Sequence, residues 1–172
     1  MFRVGIIGPE STGKSTLATY LAHRYGGVLV SEYGREYMEQ KGEGYIYTYD
    51  DVVQIAKKQV EDLMALSTIS GEGISTGCRG DVAFFDTELI ITKVWFLHKF
   101  GTCPAFLLDA IEKYPMDIYL LCYPDMPWVA DPVRENPTIR EYLFEWYERE
   151  VQALAIPYYI IKHTSRVFFF LL

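Results

Sequence analysis

The sequence predicts an α/β fold of three layers, a five-stranded parallel sheet between helices, with a lid after the fourth strand. Three observations carry that expectation. Short apolar runs alternate with amphipathic segments along the 172 residues. Gly8-Pro9-Glu10-Ser11-Thr12-Gly13-Lys14-Ser15 separates the first run from the first helical pattern, and Phe84-Phe85-Asp86 ends a later apolar run in a carboxylate. Strands alternating with helices pair in parallel, are covered on both faces, and bind ligands beyond their carboxyl ends.

The elements follow in order. Phe2 to Ile7 reads as a buried strand closed by glycine. Lys14 to Tyr25 places Leu17, Ala18, Leu21, Ala22 and Tyr25 on one helical face, and Gly26-Gly27 stops it before a strand at Val28 to Val30. Asp50 to Met64 repeats the helical spacing through Val52, Ala56, Val60 and Leu63. Val82 to Phe85 is a third strand, Thr87 to Phe100 a helix and Ile118 to Cys122 a fourth strand. Ile139 to Leu154 is an amphipathic helix and Tyr158 to Ile161 a fifth strand. The chain is expected to be one domain over residues 1–172, with no internal repeat or dividing linker. Lys41 to Tyr49 and the proline-rich stretch from Pro124 to Pro137 read as irregular. Long loops in a compact domain usually carry function, and the second is the expected lid, at about 124–138.

Composition narrows the function classes. A net charge of −7 and the absence of any run of five or more Lys/Arg residues argue against a nucleic-acid partner. Cys78, Cys103 and Cys122, odd in number and far apart, fit buried free thiols in a reducing compartment. His23, His98 and His163 are equally scattered and suggest no metal site. No signal segment is expected at the start. Phe168 to Leu172 is far short of the roughly 20 residues that span a bilayer, so a cytoplasmic protein without a membrane partner is expected.

The loop from Gly8 to Ser15 satisfies G-x-x-x-x-G-K-[S/T] in full. Gly8 and Gly13 permit backbone turns that a Cβ obstructs, so successive N–H groups and the helix N-terminus surround phosphate oxygens. Glu10, Ser11, Thr12 and Thr16 belong to the same ATP-binding segment; Lys14 reaches the β and γ phosphates, and Ser15 is a Mg²⁺ ligand. Asp86 has the position of a second metal-side carboxylate, and a helix N-cap role is compatible with it. A GTPase would carry Asp-x-x-Gly here and an Asn-Lys pair elsewhere; Asp86-Thr87-Glu88-Leu89 lacks the glycine and no Asn-Lys pair occurs. On the acceptor side, Glu32 at the end of the second strand can orient a hydroxyl and take its proton, and Arg35 can hold Glu32 or an anion. Whether Glu32 or Asp86 is the base stays open. Tyr33 and Tyr37 can offer a ring to a planar ligand, Trp128 is a packing anchor or a stacking face, and Asp131 suits ribose hydroxyls. Arg134, then Arg140, is the expected lid arginine that stabilises transferred charge.

Together these segments resemble the ribosylnicotinamide kinase domain of the NadR-type proteins. The similarity runs through Gly8 to Thr16, Ser31-Glu32-Tyr33-Gly34-Arg35-Glu36-Tyr37, Phe85-Asp86-Thr87-Glu88, Thr92-Lys93-Val94-Trp95, and Pro127-Trp128 to Arg134. It implies a P-loop kinase fold and ATP-dependent phosphorylation, with Mg²⁺, of the ribose 5′-hydroxyl of nicotinamide riboside. Lys14, Glu32, Asp86 and Arg134 would be catalytic; Glu32, Tyr33, Arg35, Trp128 and Asp131 would contact that cationic nucleoside. Rival readings are a kinase of another nucleoside or small metabolite, and a regulatory module that senses ATP without transfer. The adenylyltransferase and DNA-binding parts of the bifunctional relatives are not expected here. The family's glycine-containing loop and last helix near adenine are replaced by Lys162 to Val167 and the apolar Phe168 to Leu172, a packing segment, an oligomer contact or the mark of a truncated chain.

Overall fold

The computed structural model describes residues 1–42, 44–69 and 82–163. Five strands, β1 (Phe2–Ile7), β2 (Val28–Val30), β3 (Val82–Asp86), β4 (Ile118–Cys122) and β5 (Tyr158–Ile161), form one parallel sheet in the order β2-β3-β1-β4-β5. Six helices connect them: α1 (Lys14–Tyr25), α2 (Tyr33–Lys41), α3 (Tyr49–Ile69), α4 (Leu89–Phe100), α5 (Ala105–Lys113) and α6 (Arg140–Ala153). The five expected strands are present; the third takes in Asp86.

Alternation along β1 and β3 divides the core. Val4, Ile6 and Phe84 point to α1, where they pack with Leu17, Ala18 and Leu21. Ile7, Ala83 and Phe85 point to the other face, against α3, α4, α5 and α6 through Val52, Leu89, Leu107 and Leu143. Position 5 lies on that second face, where a Cβ would meet the Tyr119 ring at 2.6 Å, so glycine fits there.

Two helices were not expected. No residue of α2 is buried, so it has no apolar stripe for periodicity to detect. The nine residues of α5 do show one, Leu107, Ala110 and Ile111, behind an N-capping Pro104. The helix expected from Thr87 begins at Leu89, capped by the Glu88 side chain, which accepts from the Ile90 N–H at 2.9 Å. Ile139 caps α6 instead of opening it. Of the cysteines, Cys122 is buried but Cys103 is only partly so, a correction to the expectation of buried thiols. Cys78 and the C-terminal segment from Thr164 lie outside the described residues.

Residues 123–139 join β4 to α6 without helix or strand, the place expected for a lid. Among the described residues no helix is long and apolar enough to cross a membrane.

Candidate active site

The register sets Ile6 opposite Asp86 and Ile7 opposite Leu121, so the segments after β1, β3 and β4 leave the sheet at one edge. With strand order β2-β3-β1-β4-β5 the chain moves outward to either side of β1, and the crevice at that reversal is where such sheets bind ligands. Gly8 turns there with φ +139°; a Cβ would meet the Cys122 carbonyl oxygen at 2.6 Å. Gly13, left-handed at φ 70°, caps α1, whose first turn holds no acidic side chain. Lys14 Nζ donates to the Pro9 carbonyl at 2.9 Å, and the buried Thr12 hydroxyl donates to the same oxygen at 2.8 Å. The loop is thereby wrapped into a concavity of backbone N–H groups suited to an anion.

Asp86 ends β3 buried beside Ser15. Burial pushes its carboxyl up from the ordinary range; the Ser15 hydroxyl bonded to it opposes this, Glu32 adds to it, and Lys14 and Arg35 oppose it. Its Oδ1 is buried without a hydrogen-bond partner. A partnerless carboxylate oxygen beside a hydroxyl and a phosphate loop fits Mg²⁺, which takes one or two carboxylates and completes its shell with phosphate oxygens and water. Among the described residues no group of three or more His, Cys, Asp or Glu could hold a metal. Thr87, next in chain, has φ 70° and a buried Oγ1 without a partner. A β-branched residue in that conformation is strained, and such strain gathers at functional sites.

A cavity of about 270 Å³ runs from this loop to a second wall. Gly8 and the stretch from Glu10 to Thr16 line one end. Glu32, Arg35, Met38, Tyr45, Tyr47, Ile55, Gln59, Ile91, Thr92, Trp95 and Lys99 line the other. Glu32 is the N-cap of α2, and its carboxylate lies 3.8 Å from Arg35 Nε. Trp95 Nε1 donates to the Tyr47 hydroxyl at 2.9 Å, with the rings edge to face at 5.0 Å. Sequence reasoning missed this wall, although Tyr47 falls in the stretch singled out as irregular and Trp95 in a segment of the family resemblance.

The lid rests on the loop. The Glu10 carboxylate accepts from the Glu135 N–H at 3.2 Å, the Asn136 N–H at 2.9 Å and Asn136 Nδ2 at 3.4 Å. Glu10, expected on the nucleotide, is tied here to the segment expected as a lid. Ser11 Oγ accepts from the Val129 N–H at 2.9 Å and donates to the Pro127 carbonyl. Arg134 lines the cavity, its guanidinium donating to the Val129 carbonyl at 2.6 Å. Arg140 donates to the Met126 carbonyl at 2.9 Å and sits 5.9 Å from the Trp128 ring centre.

Three expected substrate residues do not line the cavity. Trp128 stacks with Arg140. Tyr33 faces Lys58 of α3 and Tyr37 of its own helix. Asp131 binds Arg35 at 2.8 Å and approaches Arg134 at 3.7 Å. Burial would raise the Asp131 carboxyl, but the Val133 N–H and Arg35 outweigh it and hold it below the ordinary range. Its place is between two cavity arginines, one step back from a ligand. Tyr37 is likewise committed, donating to Asp51 at 2.8 Å.

A parallel sheet of this order, a phosphate loop opening α1 and the segment after β4 laid across that loop make up a P-loop kinase-like fold. The chain belongs to the AAA domain family, whose model matches residues 3–166. It is 31% identical over 133 residues to the trifunctional NAD biosynthesis/regulator protein NadR of Salmonella typhimurium LT2 and of Escherichia coli K12. That match takes in 76% of this chain and 30% of each relative, so the chain spans about a third of the length of the curated relatives it matches. Among solved structures it is similar to NadR protein in complex with NR (TM-score 0.64, 24% identity, 92% of this chain and 43% of that one). It is also similar in fold to thymidylate kinase from Ehrlichia chaffeensis (TM-score 0.60, 11% identity, 94% and 86%).

Proposed function

We propose that this chain transfers the γ-phosphoryl group of ATP to the ribose 5′-hydroxyl of nicotinamide riboside, giving nicotinamide mononucleotide. One observation carries the reading: the phosphate loop and a carboxylate at the foot of an aromatic wall share a single cavity. A sensor that only binds ATP needs no second compartment facing the phosphates. Similarity to NadR supports the choice of nucleoside. The rings of Tyr45, Tyr47 and Trp95 with the Glu32 carboxylate suit a flat, cationic pyridinium.

In this mechanism the loop amides from Gly8 through Thr16 and Lys14 hold the triphosphate, with Ser11 and Thr12 shaping the turn. Ser15 and Asp86 are the residues that would hold Mg²⁺, which when bound neutralises phosphate oxygens. Asp86 is buried at the metal side, whereas Glu32 lines the cavity; Glu32 is therefore the group that orients the acceptor hydroxyl and takes its proton. Arg134 stabilises charge on the transferring group, and Arg35 with Asp131 fixes its surroundings. Closure of the lid over the loop keeps water from competing with the acceptor.

A coupled ATP-consumption assay across nicotinamide riboside, the ordinary nucleosides and small hydroxylated metabolites tests the assignment. Preferred turnover of nicotinamide riboside is expected. Turnover of another acceptor alone would leave a kinase with a different substrate, and ATP binding with no turnover would favour the sensor.

A further inference from the structure

The lid residue Glu135 touches both ends of the cavity. Its carboxylate reaches Lys99 Nζ on α4 at 2.7 Å and accepts from the Tyr47 hydroxyl at 3.0 Å. Tyr47 is itself held by Trp95, and all three of these partners line the acceptor wall. The Glu135 backbone N–H points the other way, to both oxygens of Glu10 on the phosphate loop. One residue thus bridges the two walls, and the Asp131–Arg35 pair is a second tie of the lid to the acceptor wall.

The electrostatics give the bridge a direction. A free carboxylate on a phosphate loop repels a triphosphate, and the N–H groups of Glu135 and Asn136 occupy the Glu10 oxygens. Arg134, adjacent to Glu135, is brought to the cavity by the same seating. Releasing Glu135 from Lys99 and Tyr47 loosens the segment that does both jobs, freeing Glu10 and withdrawing Arg134.

We propose that Glu135 is a positioning residue that couples the acceptor wall to the phosphate loop, so that Lys99 sets nucleotide affinity through the lid. The proposal rests on the nucleotide-binding reading of the loop and is independent of the acceptor's identity. Reciprocity of coupling then requires that an occupied acceptor wall and a bound nucleotide influence each other through the same residue.

The test is the affinity of the intact chain for AMP-PNP, measured by calorimetry without acceptor, in wild type, Lys99→Met, Glu135→Ala and the double variant. Glu135→Ala keeps the backbone N–H, so it isolates the side chain. Each single change is expected to weaken AMP-PNP about tenfold, the double variant no further than Glu135→Ala, and Lys99→Arg to restore most of the loss. Loss of fold stability alone would lower the melting temperature and leave AMP-PNP affinity of the folded protein unchanged. Wild-type affinity in Lys99→Met, or losses that simply add in the double variant, would overturn the coupling. If wild type bound no AMP-PNP, the nucleotide reading would fall and the coupling with it. The expected losses without turnover of nicotinamide riboside would remove only the acceptor assignment.

Discussion

Gly8 is held by geometry on two counts, a φ of +139° and a Cβ position 2.6 Å from the Cys122 carbonyl oxygen. Gly8→Ala is therefore expected to lower stability by about 3 kcal/mol in urea unfolding, as well as to deform the loop. Lys14 acts on chemistry: Lys14→Ala should retain the fold by circular dichroism while phosphoryl transfer falls by roughly three powers of ten. Near-normal turnover in that variant would end the mechanism. Arg134→Ala should lower kcat by about a hundredfold with little change in KM, and a change in KM alone would remove it from the transferring group. These residues could be proposed from the sequence because the chemistry allows few types at those positions. The role of Glu10 was not, because its partners Glu135 and Asn136 lie far along the chain and only the fold brings them together. The pairing of Asp131 with Arg35 was hidden for the same reason, since 96 positions separate them.

At the scale of elements, α3 starts with a reciprocal cap. The Thr48 N–H donates to Asp51 Oδ2 at 2.8 Å, and the Asp51 N–H donates to Thr48 Oγ1 at 3.3 Å. The hydroxyls of Thr48, Tyr37 and Tyr45 add to that carboxylate, joining α2, the loop and α3 around one buried acid. The Thr48 N–H, then these hydroxyls, overcome burial and hold the Asp51 carboxyl well below its ordinary 3.8. A depressed folded pKa means stability that is present above the unfolded value and is lost as pH falls through the folded one. Asp51→Asn is accordingly expected to lose about 2 kcal/mol at neutral pH, with the gap to wild type closing below about pH 4. A gap that stayed constant down to low pH would contradict this account of the cap. Helix α2 was not readable in the sequence: polar ties such as Tyr37 and Lys41 to Asp51 hold it rather than an apolar face.

For the whole molecule, alternation of strand and helix sufficed to anticipate a parallel sheet, because no other arrangement buries both kinds of element so simply. It did not give the order β2-β3-β1-β4-β5, which depends on how each crossover packs. Nor did it give the acceptor wall, assembled from α2, the segment before α3, α3 itself and α4. The central claim is transfer from a donor at the loop to a hydroxyl beside Glu32 across that shared cavity. The most direct measurement is product formation from γ-labelled ATP with nicotinamide riboside, set against its 5′-deoxy analogue and the Glu32→Gln variant. Label should appear in nicotinamide mononucleotide with wild type, be absent with the analogue, and form at least a hundredfold more slowly with Glu32→Gln. Label released only as inorganic phosphate, at a rate indifferent to the nucleoside and to Glu32, would contradict it.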